Sequence, residues 1–250
     1  ERLWAAMAGG RRKKLIYVTG DTHGEVSRFE ELKRKYFLSR QDALIVAGDF
    51  GCIFGMGRRD EAKLDALAAD LATAGVTARG YAADVRDAEA LTAALTAAAD
   101  ELGPISVLQY SPLPARSYLQ PVLDLTPDLA LEALRFSALG LITAARSVLP
   151  AMRAAGDGTI ILVNGGTSVK ARAGFSGTSV AFPAESAYGE MLHDALAEEG
   201  VRVVQLVIPG SIPKLQVENG VDGVAERIWQ LHTTPGEFRT MLIPLEDGRE

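Results

Sequence analysis

Three side chains near the N-terminus carry residue types that bind cations. Asp21 and His23 stand two positions apart directly after an apolar run, Leu15–Thr19, and Asp49 follows a second run, Ala43–Ala47. If the two runs are neighbouring parallel strands, both carboxylates and the imidazole meet at one sheet edge. Two oxygen ligands and one nitrogen suit Mn²⁺, Fe²⁺ or Zn²⁺. The same turn offers a second chemistry. Gly20, Thr22 and Gly24 lie between strand and helix, where small residues let backbone N–H groups approach a phosphate. Asp21 and Glu25 oppose it, because a carboxylate beside a diphosphate repels it. The other histidines, His193 and His232, sit in no ligand-like cluster. A second metal therefore lacks ligands, and hydrolysis by two clamped ions is not expected.

The elements that must position these residues alternate along the chain. Strands are predicted at Leu15–Thr19, Ala43–Ala47, Thr77–Ala82, Ser106–Gln109, Thr159–Val163, Val201–Ile208 and Thr240–Ile243. Helical patterns fill Val26–Tyr36, Asp60–Ala74, Ala88–Leu102, Asp128–Ala154, Ala181–Glu199 and Val221–Gln230. Apolar runs such as Val203–Ile208 suit strands covered on both faces, and strict alternation means a parallel sheet with right-handed crossovers. Nothing resembles a linker or an internal repeat, so one domain over residues 1–250 is expected.

Composition narrows the class further. With 48% hydrophobic and 23% charged residues, the chain has an ordinary globular balance. No apolar run reaches the length a membrane helix needs. The basic cluster Arg11–Lys14 follows a short apolar stretch, the reverse of a secretory signal, and a net charge of −6 argues against nucleic acid. The single cysteine, Cys52, excludes an internal disulfide and a cysteine zinc cluster. A cytoplasmic location is expected.

From Gly57 to the end, the chain resembles the short-chain dehydrogenase/reductases. The pieces that carry the resemblance keep that family's order: GRRDEAKLDALAADL opening a helix, AADVRD after the third strand and GPISVLQYS on the fourth. RSVLPAM then ends a long helix, GTIILVN forms the fifth strand and EEGVRVVQLVIPG leads into the sixth. The resemblance implies a doubly wound, Rossmann-like α/β sheet of about seven strands with helices on both faces, binding NAD or NADP and a small molecule. Asp84 and Val85 take the family's adenine-contacting places, and Pro209 and Gly210 take the turn beside the nicotinamide. For Asp84, a helix cap or turn role stays equally open. Gly20, Thr22 and Gly24 fall in the phosphate turn, whose third glycine is replaced by Val26. Arg58 and Arg59 match a place for an NADP 2′-phosphate, whereas Asp49 favours a free ribose hydroxyl, so the choice of cofactor stays open.

The family's proton relay uses asparagine, serine, tyrosine and lysine. Those places fall on Ser137, Gly165, Thr178 and Phe182, so no catalytic residue is carried over. Thr167, Ser168, Ser176, Tyr188 and His193 read as ordinary loop and helix residues, and His232 as a partner of its helix C-terminus. Family members pair through two long helices, here Asp128–Ala154 and Ala181–Glu199, which implies a homo-oligomer.

Residues 13–55 carry a second resemblance. KKLIYVTGDTHGEVSRFEEL and DALIVAGDFG are similar to the opening of a calcineurin-like metallophosphoesterase, whose Asp-x-His and Gly-Asp motifs match Asp21, His23 and Asp49. Together the two resemblances imply a chimera joined within Cys52–Gly57. Three readings stay open: a dehydrogenase-like protein with weak or no oxidoreductase activity, an incomplete metal-binding site, and a non-catalytic scaffold.

Overall fold

Runs of β-branched residues alternate with alanine-rich stretches, and the computed structural model shows how they assemble. It describes residues 16–19, 43–46, 68–69, 72–73, 77–210 and 220–245. The strands are β1 (Ile16–Thr19), β2 (Ala43–Val46), β3 (Thr77–Gly80), β4 (Val107–Tyr110), β5 (Gly158–Gly165), β6 (Val201–Ile208) and β7 (Arg239–Met241). They lie side by side in the order β3-β2-β1-β4-β5-β6-β7, with every pairing parallel. The chain winds one way from β1 to β3 and the other way from β4 onward. The order therefore reverses between β1 and β4, and ligand crevices form beyond the carboxyl ends of strands at such a reversal.

The helices are α1 (Ala88–Leu102), α2 (Pro127–Leu134), α3 (Gly140–Ala155), α4 (Ser176–Leu196) and α5 (Gly220–Thr233). Successive side chains of β5 point to opposite faces. Ile160 and Leu162 join Leu91, Leu95, Leu141, Val148 and Met152 beneath α1 and α3. Ile161 instead meets Val107 and Val204, with Ile228 and Leu231 of α5 packed against them. Helices thus cover both faces, as the Rossmann-like resemblance implied.

Local chemistry sets several boundaries. Asp87 caps α1 by accepting from the backbone N–H groups of Glu89 and Ala90. Thr126 caps α2, with Pro127 at its first position. Several boundaries shift by one to three residues, and two helices differ more. The single helix expected over Asp128–Ala154 is widened by a π-turn at Arg135–Leu139. Helix α4 begins at Ser176, five residues before Ala181, and contains Pro183. Its early start follows from packing: a Cβ on Gly177 would lie 2.9 Å from Tyr118 Cα, so only glycine lets the first turn settle there. Propensity alone favours a later start, and tertiary contact overrides it. No helix among the described residues is long and apolar enough to cross a membrane.

Candidate functional site

At the carboxyl ends of β4 and β5, side chains from several elements interlock. Tyr110 ends β4, and its hydroxyl donates to the Phe136 carbonyl at 2.6 Å, holding the π-turn in place. Gly140 opens α3 beside it. A Cβ there would stand 2.1 Å from the Tyr110 oxygen and 2.9 Å from the Val85 carbonyl. Burial, with lesser contributions from Glu185 and Asp84, pushes the Tyr110 phenol well above its ordinary pKa. This hydroxyl is a structural donor rather than an acid.

Ser137, on the π-turn, faces α4. Its hydroxyl lies against the Glu185 carboxyl and 3.3 Å from the Ala181 carbonyl. Asn164, near the end of β5, donates from Nδ2 to Glu185 Oε1 at 3.2 Å. Its own Oδ1 accepts from Gln205 Nε2 at 3.0 Å. Gln205 Oε1 accepts from Ser186 at 2.9 Å and from Arg239 Nε at 2.7 Å. Arg239 also donates to the Ser186 oxygen at 2.8 Å and approaches Glu190 to 3.8 Å. A guanidinium can only donate, so the direction of every amide in this line is fixed from the Arg239 end. Ser137, Asn164, Glu185, Ser186 and Gln205 are all buried. Burial pushes the Glu185 carboxyl up to about 7, against the opposing hydrogen bonds from Ser137 and Asn164.

Of the expected relay positions, Gly165 and Phe182 come together. A Cβ on Gly165, the last residue of β5, would touch the Phe182 ring at 3.5 Å. Phe182 is buried with Tyr118, Ala133, Phe136 and Ala181. Thr178 is buried too, its hydroxyl donating to the Phe175 carbonyl at 3.2 Å. Ser137 does not join these two; its partners are Ala181 and Glu185.

Close to the Tyr110–Gly140 contact, the Asp84 carboxylate accepts from the Arg86 backbone N–H at 2.9 Å and from Arg86 Nη2 at 2.6 Å. These hydrogen bonds hold its pKa below the ordinary carboxylate value. Asp84 is thus a turn residue, and the cap of α1 is Asp87. Gly210 follows β6 with φ 106°, a conformation that favours glycine, and Pro209 packs where a Gly166 Cβ would be 3.4 Å away. Gly20, Asp21, Thr22, His23, Gly24, Asp49, Arg58 and Arg59 lie outside the described residues. Among the described residues, no group of three or more histidine, cysteine or acidic side chains is arranged to hold a metal.

The family model for short chain dehydrogenase matches residues 46–218. The chain belongs to the short-chain dehydrogenase family. The match begins before Gly57 and runs through Cys52–Gly57. Among solved structures, a metagenomic short-chain oxidoreductase in complex with NADP superposes with a TM-score of 0.70 at 18% identity, covering 91% of this chain and 96% of that one. A short-chain dehydrogenase from Rhodopseudomonas palustris gives 0.68 at 21% identity, covering 94% and 100%. An NADPH-bound short-chain oxidoreductase from Pseudomonas aeruginosa PAO1, described as containing an atypical catalytic center, gives 0.60 at 22%, covering 79% and 73%. No curated protein is similar enough in sequence to match.

Glu185, Asn164 and Gln205 were not among the residues expected from sequence. A signal existed for two of them: Gln205 interrupts the apolar run VVQLVI, and Glu185 interrupts the small, apolar stripe Gly177, Ala181, Gly189 at helical spacing. Two of the remaining candidates keep structural roles. Ser168 donates to the Gly165 carbonyl at 2.8 Å, and His193 Nδ1 pairs with the Val203 carbonyl at 2.7 Å. Burial, then the nearby Arg202, pushes His232 down to about 4. A neutral ring cannot act as the cationic helix-end partner expected of it.

Proposed function

We propose that this short-chain dehydrogenase binds a nicotinamide dinucleotide across the β1/β4 reversal but reduces carbonyls weakly or not at all. The observation that carries this reading is the Gly165–Phe182 contact. At the places matched to the family's serine and lysine stand a hydrogen and a phenyl ring. Neither polarises a carbonyl oxygen, and neither holds a neighbouring phenol as its anion.

The residues present fit the cofactor in part. Pro209 and Gly210 keep a glycine-dependent turn at the end of β6, and Val85 keeps its place beside α3. Asp84 fits less well, because Arg86 already occupies both carboxylate oxygens. Val85 and Asp84 would hold the adenine end, and Pro209–Gly210 the nicotinamide end. The bound cofactor supplies a hydride. What this chain's residues add is orientation and exclusion of water by the Phe182 cluster, with no proton donor at the Gly165 and Phe182 positions.

Titration with NADH and NADPH, followed by nucleotide fluorescence, tests the reading. Saturable binding without ketone- or aldehyde-dependent oxidation of the nucleotide is expected. Absence of binding at millimolar nucleotide, or rapid turnover, overturns it. The reading includes pairing of two chains through the helices over 128–154 and 181–199, where Leu131, Leu139 and Met191 expose apolar surface.

A further inference from the structure

Glu185 is a carboxyl at the centre of the fold, 1% exposed, and it plays no part in the reading above. Its hydrogen-bond geometry assigns its proton to one atom. Arg239 fixes the direction of Gln205, Gln205 fixes Asn164, and Asn164 must then donate to Oε1. Oε1 is committed as an acceptor. Oε2 faces the Ser137 hydroxyl, which also lies 3.3 Å from the Ala181 carbonyl. One hydroxyl proton cannot serve both acceptors. With a proton on Oε2, the carboxyl donates to the Ser137 oxygen, Ser137 donates to the Ala181 carbonyl, and every group from Ser137 to Gln205 in this hydrogen-bonded line is satisfied. Without it, Ser137 must turn from Ala181 to the carboxylate, and a buried negative charge remains.

We infer that Glu185 and Ser137 form a proton-operated clasp between helix α4 and the π-turn, closed while Glu185 Oε2 holds its proton and loosened when the proton leaves. The surroundings favour the closed form. From β4, Tyr110 faces the carboxyl as a buried neutral phenol. From β5 and β6 come Asn164 and Gln205, which carry no charge. The Arg239 guanidinium of β7 stands behind two amides and is drawn toward Glu190 of α4. Arg135 of the π-turn is paired with Glu132 at 3.1 Å. Among the described residues, no cation touches Glu185 directly, so desolvation decides its state.

The direction of the pH effect follows from linkage. The folded carboxyl titrates at about 7 against an ordinary value of 4.5, so the fold binds this proton more tightly than the unfolded chain does. Its contribution is complete below the ordinary value and is lost as pH rises toward the folded one. Glu185→Gln mimics the closed form, because its amide still donates toward Ser137 and accepts from Asn164. The inference does not depend on whether a dinucleotide binds.

Two measurements on the full chain test it. The folding constant of Glu185→Gln divided by that of the wild type, from urea unfolding at a series of pH values, is expected to rise as pH increases from about 5 to 7, by up to tenfold per pH unit. A ratio constant across that range overturns the clasp. Independently of any variant, the Glu185 side-chain carboxyl carbon of the labelled wild-type protein, assigned through its backbone, is followed by NMR. A midpoint above about 6 supports the inference; a midpoint in the ordinary carboxylate range overturns it even if the variant fails to fold.

Discussion

Phe182 is held by Tyr118, Ala133, Phe136 and Ala181, and only 5% of its surface is exposed. Truncation to alanine removes most of that contact and leaves a cavity. Phe182→Ala is therefore expected to lower the unfolding free energy by about 3–5 kcal/mol, readable as a shift of the urea midpoint at unchanged slope. The same variant is expected to leave nucleotide oxidation as weak as before, since removing a ring supplies no proton donor. Residues of this kind were only half legible. The phenylalanine at the place where the resemblance implies a lysine is visible in the sequence, but its burial is not, because whether a phenyl ring is core or surface depends on neighbours from α2, the π-turn and the 3₁₀ turn at Arg116–Tyr118. Glu185 was less legible still. A carboxylate on a helix is ordinarily solvated, and only the packing of Ser137 and Asn164 against it makes it a buried acid.

The π-turn between α2 and α3 is the element that organises the site. It widens the helix at Ser137 and turns the Phe136 carbonyl toward Tyr110, which satisfies it. Close contact of α3 with β4 depends on Gly140. A Cβ there meets both the Tyr110 hydroxyl and the Val85 carbonyl, and the second is backbone that cannot swing aside. Gly140→Ala is accordingly expected to destabilise by about 1–3 kcal/mol, although alanine has the higher helix propensity. A gain in melting temperature would show that this contact is looser than described. The limits of α1 at Ala88–Leu102 were readable. The start of α4 was not, because Gly177 is placed by Tyr118, a residue far away in sequence.

For the whole molecule, the sheet leaves apolar side chains outside its core. Met191 is 62% exposed on α4, and Leu131 and Leu139 are 44% and 46% exposed on α2 and the π-turn. Scattered exposed apolar residues are normal, so the proposed pairing needs its own test. Light scattering is expected to give about twice the 26.6 kDa chain mass for the wild type and the chain mass itself for Met191→Asp. A monomeric wild type at tens of micromolar would remove the dimer from the reading.

The resemblance to the short-chain dehydrogenases, and with it the doubly wound order of the sheet, rested on particular motifs; strand–helix alternation and parallel pairing were already written in the order of apolar runs. Those depend on periodicity and local turn chemistry, which are properties of neighbouring residues. Tertiary structure alone decided that Ser137 meets Glu185 and that a line of amides ties Arg239 to the centre of the fold. Most of those contacts join residues dozens of positions apart. Burial, which no linear spacing specifies, turns a glutamate of ordinary appearance into a group that keeps its proton near neutral pH.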